Sequence, residues 1–151
     1  MNIILRKTVK KFGISDKYIK TVVSDTLKLV KKTKYSVSIS IVGEMRIRTI
    51  NRLYRNIDYV TDVLSFPIEE EDDFFGGQFT AEQELGDIFI CPHKIKRQAK
   101  EFNVTYKEEF TRMIVHGVLH LIGYDHIKEK DASIMFPLQE KIVSKIKQKY
   151  V

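Results

Sequence analysis

The chain has 151 residues, with 26 Lys and Arg against 20 Asp and Glu, and so carries a formal charge of +6 at pH 7. An apolar share of 43% and a charged share of 30% are those of an ordinary globular protein, and a chain of this size buries about two-thirds of its unfolded surface, enough for a core without covalent staples. The lone cysteine, Cys91, excludes an internal disulfide and a multi-cysteine zinc site, and fits a reducing cytoplasm.

The opening residues, Met1-Asn2-Ile3-Ile4-Leu5-Arg6, hold an apolar run far short of a signal-peptide core or the ~20 residues of a membrane span. A cytoplasmic protein folded as one domain over residues 1–151, with no membrane partner, is therefore expected. Basic and acidic residues number 14 and 4 in residues 1–60, none and 9 in 61–90, and 12 and 7 in 91–151. Such an excess, with a pI near 9.3, attracts polyanions, although lysine-rich solvated faces produce the same figure.

In chain order, residues 2–5 form a short strand candidate. Ser15 then caps a helix, with Ile14 and Ile19 placed as a hydrophobic staple and Val22, Val23, Leu27 and Val30 continuing one apolar face. Residues 35–42 alternate Val37, Ile39 and Ile41 with Ser36, Ser38 and Ser40, the period of a half-buried strand. Over residues 45–54 apolar positions recur at helical spacing, and Arg48, Arg52 and Arg55 form a basic row on another face. Residues 63–68 read as a third strand whose Pro67 argues for a sheet edge or a strand end.

Residues 69–84 hold seven acidic residues and Gly76-Gly77 without a period, and read as a long surface loop. Residues 88–91 form a fourth strand candidate stopped by Pro92. Helices are predicted over residues 93–102, 106–122 and 131–150, the last with a break or kink at Pro137. Strands early and helices late indicate an α+β fold, a small mixed sheet of about four strands packed with five to six helices.

Three of the four histidines fall in His116-Gly117-Val118-Leu119-His120-Leu121-Ile122-Gly123-Tyr124-Asp125-His126. Thr105 and Glu108 read as a capping box that starts the helix near Tyr106. His116 and His120, four apart, project from one face of it. Continuing the helix would carry residue 126 about 9 Å beyond His120 along the axis, so a third ligand requires the chain to turn back. Gly123 supplies that turn, since glycine at the position after a helix end accepts positive φ.

Three imidazoles on a four-coordinate Zn²⁺ leave one place for water, the arrangement of a catalytic site, where the ion lowers the water's pKa toward ~7. Nickel, copper or cobalt suits the same donors. Cys91 and Asp125 are the candidates for a fourth protein ligand that would shut the site, and His93 reads as a surface residue. The spacing is shared with the metzincin proteases, H-E-x-x-H-x-x-G-x-x-H. Here Gly117 stands where those enzymes carry the glutamate base, which argues against peptide hydrolysis by that route.

Four ordered blocks extend the comparison: Ile50-Asn51-Arg52-Leu53-Tyr54-Arg55 with Asp58, then Thr61-Asp62-Val63-Leu64-Ser65-Phe66-Pro67, then Leu85-Gly86-Asp87-Ile88, then His116 to His126. Together they resemble the YbeY family of metal-dependent endoribonucleases. The resemblance implies a zincin-like α+β fold, one zinc ion held by His116, His120 and His126, and cleavage of single-stranded RNA in small-subunit ribosomal RNA 3′-end maturation and ribosome quality control, with the ribosome or its small subunit as partner. It also implies a functional arginine at Arg55. The chemistry agrees, because a planar, always-charged fork suits a phosphodiester. Two rivals remain open at this point: a ribosome-associated RNA-binding protein with a structural zinc, and a metal-dependent peptidase using another base.

Overall fold

The computed structural model describes residues 2–68 and 83–150. They form β1 (Ile3–Lys7), α1 (Asp16–Leu29), β2 (Tyr35–Ile41), α2 (Glu44–Arg55), β3 (Val63–Pro67), β4 (Gln83–Ile90), α3 (Pro92–Glu101), α4 (Tyr106–Leu121) and α5 (Glu129–Tyr150). The fold is α+β: a four-stranded mixed sheet of order β1-β2-β4-β3, in which only β3 runs antiparallel to its neighbour, packed by five helices among the described residues. Among those residues no helix is long and apolar enough to cross a membrane.

Local chemistry starts the helices where the sequence predicts. The Ser15 hydroxyl accepts from the Tyr18 N–H at 3.1 Å, and Thr105 accepts from Glu108 N–H at 3.1 Å. The return half of the capping box differs. The Glu108 carboxylate is turned to Lys147 of the packed α5 and to Arg112 one turn further along its own helix. Further corrections concern β4 and α5. The stretch read as an acidic loop, residues 69–84, lies outside the described residues except for Gln83 and Glu84, which already belong to β4. In α5 the helix runs unbroken through Pro137. Its buried stripe of Met135, Gln139, Ile142, Val143 and Ile146 spans the proline, and burial of that stripe outweighs a local cost of about 3 kcal/mol.

The alternation in β2 is real, but both faces are covered. Val37, Ile39 and Ile41 enter the main core, while Ser36 and Ser38 are buried on the other side, with Ser38 Oγ donating to Glu84 Oε1 at 2.9 Å. Small hydroxyls are tolerated there because β2 is an inner strand and a partner is in reach. Within β4, Ser36 pairs Glu84 and Ser38 pairs Asp87, so Leu85-Gly86 form a bulge. Gly86 has φ +142, and a Cβ there would lie 2.2 Å from the Phe66 carbonyl oxygen, so only glycine fits.

The Pro67 expectation holds: β3 is an edge strand. Cys91 N–H donates to the Asp62 carbonyl and Ile68 N–H to the Leu85 carbonyl, so the alternating residues Val63, Ser65 and Pro67 turn their backbone groups outward. Asp62 Oδ1 accepts from Val63 N–H at 2.7 Å, Arg55 donates to the Ser65 carbonyl at 2.7 Å, and Pro67 has no N–H to offer. A potentially adhesive edge thereby offers fewer free groups for strand addition.

Helix α4 sits at the centre, packed against α1, α3, α5, β3 and β4. Ten of its sixteen residues are buried, as its nearly all-round apolar sequence requires.

Candidate metal centre

Where α4 passes over the sheet, Gly117 faces Ile88. A Cβ at this position would stand 3.0 Å from Ile88 Cγ2 and 3.3 Å from Ser65 Oγ. The residue that replaces the protease glutamate is thus packed into the helix–sheet interface, where a longer side chain would displace the core. Ser65 Oγ also donates to the Gly117 carbonyl at 3.3 Å, tying β3 to the turn of α4 that carries His116.

The helix ends as Gly123 implies. Gly123 N–H donates to the His120 carbonyl and Tyr124 N–H to the Leu119 carbonyl, the paired bonds of a Schellman reversal, with Gly123 at φ +106. The chain folds back, and Asp125 Oδ1 secures the turn by accepting from His126 N–H at 2.7 Å. As a result the ring centroids of His116, His120 and His126 lie 4.5, 5.3 and 5.1 Å apart, and one nitrogen from each falls within 4.8 Å of the others. These three residues could hold a metal ion.

Hydrogen bonds fix the rings' tautomers. The Gln139 amide Nε2 donates to Glu140 Oε2 at 3.2 Å, a carboxyl that Arg112 holds below its ordinary range. That carboxylate can only accept, so the amide oxygen is the atom facing His116 Nδ1, 2.7 Å away, and Nδ1 carries the proton. His120 Nδ1–H likewise donates to the Tyr124 carbonyl at 2.8 Å. Both Nε2 atoms are therefore bare lone pairs, yet they stand only 3.0 Å apart.

Two lone pairs at that distance repel unless a cation lies between them. A proton is a poor candidate. Burial pushes the His116 imidazolium pKa down, and burial, followed by repulsion from His116, pushes that of His120 down to about 4. Nitrogens sharing a tetrahedral zinc with bonds of ~2.0–2.1 Å stand about 3.3 Å apart, so the spacing suits a metal ion. Backing the ligating nitrogen with an acceptor at the other ring position is how metal-binding histidines are oriented.

His126 differs from its partners. Its ring is exposed and lies against Phe136 of α5, centroids 5.4 Å apart and planes at 29°. Stacking, which Phe136 also extends to His116 at 6.5 Å, positions the His126 ring. The predicted rivals for a fourth ligand stay out of the cluster. Cys91 is fully buried under α2 with Val42, Ile47, Ile50 and Leu64, and Asp125 spends its oxygen on the turn. His93 is exposed on α3, as expected.

Arg55 ends α2 with its guanidinium 4.9 Å over the Phe66 ring and one N–H on the Ser65 carbonyl. A hydrogen-bonded path leads from it through Ser65 to Gly117, the residue after His116. Of its neighbours in the basic row, Arg48 is a surface cation paired with Asp58 at 2.9 Å. Gln139 and Phe136 were missed in the sequence. For Gln139 a signal existed, one polar residue in the apolar stripe of the last helix. For Phe136, next to a proline on the exposed side of that stripe, there was none.

A four-stranded mixed sheet whose central helix and following turn bring three imidazoles together defines an α+β protein with a three-histidine cluster that could hold a metal ion. The chain belongs to the YbeY family: the family model described as Endoribonuclease YbeY matches residues 5–147. It is 45% identical over 118 residues to the Endoribonuclease YbeY of Lacticaseibacillus casei, covering 78% of this chain and 76% of that one. It is 40% identical over 145 residues to the Endoribonuclease YbeY of a Sulfurihydrogenibium species, covering 95% and 91%. The solution structure of TM1509 from Thermotoga maritima superposes with a TM-score of 0.65 at 31% identity, covering 97% of this chain and 91% of that one.

Proposed function

We propose that the chain is a single-domain, zinc-dependent endoribonuclease that cuts single-stranded RNA in the cytoplasm. Its role in this reading is 3′-end maturation of small-subunit ribosomal RNA and ribosome quality control, with the ribosome or small subunit as partner. Family membership supports the nuclease activity. The observation that carries the reading is the pair of bare Nε2 atoms of His116 and His120, backed by Gln139 and the Tyr124 carbonyl, with His126 folded in beside them.

His116, His120 and His126 would hold the ion. When bound, zinc supplies a Lewis acid that makes water ionisable near neutral pH. Arg55 has one N–H committed to the Ser65 carbonyl and Phe66 beneath it. Its fork is thus held in one orientation, with further N–H groups to grip a phosphodiester and stabilise charge on phosphorus. Gly117, packed against Ile88, leaves no room for the glutamate base of the proteases.

The test pairs metal content with cleavage of single-stranded and duplex RNA by wild type, His116→Ala and Arg55→Ala. His116→Ala should lose both metal and cleavage. Arg55→Ala should keep the metal and lose about 10²–10³ in kcat. Products should carry no cyclic phosphate, whose appearance would transfer the attack to the ribose 2′-OH. His120→Ala should retain the fold. Global unfolding of that variant with no cleavage by wild type would favour a structural metal in an RNA-binding protein.

A further inference from the structure

Beside Arg55, and outside the histidine cluster, aromatic rings gather where the end of α2 meets the sheet edge. Tyr54 is 70% exposed, yet its ring is anchored: it stands 5.5 Å from Phe66 with planes at 67°, and Phe66 stands 5.8 Å from Phe89 at 78°. Arg55 lies over the same Phe66. A scattered exposed aromatic needs no explanation, but this one is pinned from beneath beside two guanidinium groups. Arg48 is paired with Asp58, whereas Arg52 and Arg55 have no carboxylate at ion-pair distance among the described residues.

An exposed, pre-ordered ring accepts a flat π-system, and adjacent guanidinium groups accept phosphate. An unpaired nucleic-acid strand carries both at short repeat, whereas in a duplex the base faces are already covered. An added peptide strand is poorly served, because the outward Ser65 carbonyl and Val63 N–H of β3 are already bonded to Arg55 and Asp62 and Pro67 has no N–H.

We propose that Tyr54 is a nucleobase-stacking residue, forming with Arg55 and Phe66 a platform that binds single-stranded nucleic acid where the end of α2 meets the β3 edge. This rests on the endoribonuclease reading and adds to it the subsite that would reject duplexes. Because Phe66 already restrains the Tyr54 ring, little rotamer freedom remains to be lost on binding.

The test is fluorescence anisotropy on metal-loaded protein at low salt, with a labelled 12-nucleotide single-stranded DNA, an abasic deoxyribose-phosphate strand of equal length, and the matching duplex. Tyr54→Ala should weaken binding of the base-bearing strand about tenfold and leave the abasic strand and duplex unchanged, while Tyr54→Phe, which keeps the ring, should bind as wild type does. Unchanged binding by Tyr54→Ala, or equal losses on base-bearing and abasic strands, would overturn the proposal. Cleavage of single-stranded RNA by the wild type, assayed in parallel, separates the two readings. A wild type that cuts RNA while Tyr54→Ala binds normally refutes the platform alone, whereas one that neither binds nor cuts refutes both.

Discussion

Gln139 illustrates how one side chain can govern a site it does not enter. Its oxygen fixes the proton of His116 on Nδ1 only because its nitrogen is held by Glu140, which Arg112 grips through two nitrogens at 2.9 to 3.1 Å. Arg112 in turn bonds the buried Glu109, and Gln98 links Glu109 to Asp62 at the start of β3. A polar chain thus runs from His116 to the sheet edge. Gln139→Ala should lower metal affinity about 10- to 100-fold, read by competition with a chromophoric chelator. Gln139→Glu, which keeps an acceptor toward His116 but meets Glu140 as a like charge, should recover only part of it. Equal affinities in all three proteins would show that the hydrogen bond does not orient the ring.

At the scale of an element, the decisive feature is the end of α4. The i, i+4 spacing aligns two histidines, and the Schellman turn brings back the third. At Gly123 an added Cβ would meet nothing within 4 Å, so substitution costs conformation and not space. Gly123→Ala should therefore destabilise the protein by about 1–2 kcal/mol, seen in the denaturant midpoint, and weaken metal binding because His126 is delivered by that turn. A variant that loses stability but keeps full affinity would mean that Phe136 stacking alone seats His126. The spacing made this element legible, because helix geometry and glycine's conformational freedom act over a few residues. The course of α5 through Pro137 was not legible, since the local rule that breaks a helix at proline was overruled by burial distributed over about three turns, from Met135 to Ile146.

The whole molecule stores a conflict: the half-buried imidazoles of His116 and His120 are kept neutral in a protein with an excess of positive charge. In the unfolded chain a histidine takes up its proton near pH 6.5, whereas folded His120 does so only at about 4. Between those values the unfolded state binds more protons, so the metal-free protein should lose stability as pH falls from about 6.5 to about 4, and this contribution should level off below. Denaturant midpoints of chelated protein across that range check it. His120→Asn should flatten the slope, and a midpoint independent of pH in the parent protein would contradict the account.

The division between sequence and structure follows from range. Helix starts at Ser15 and Thr105, the hydrophobic face of β2, the edge character of Pro67 and the returning histidine are properties of neighbours in the chain, governed by dihedral preference and short periodicities, and the sequence by itself determined them. Packing decided the rest: the antiparallel placement of β3, the steric need for glycine at 117, the Gln139 contact from 23 residues further on, and the Phe66 ring shared by Tyr54 and Arg55. Each depends on which surfaces meet when distant segments bury their apolar area together, and no local pattern encodes that meeting.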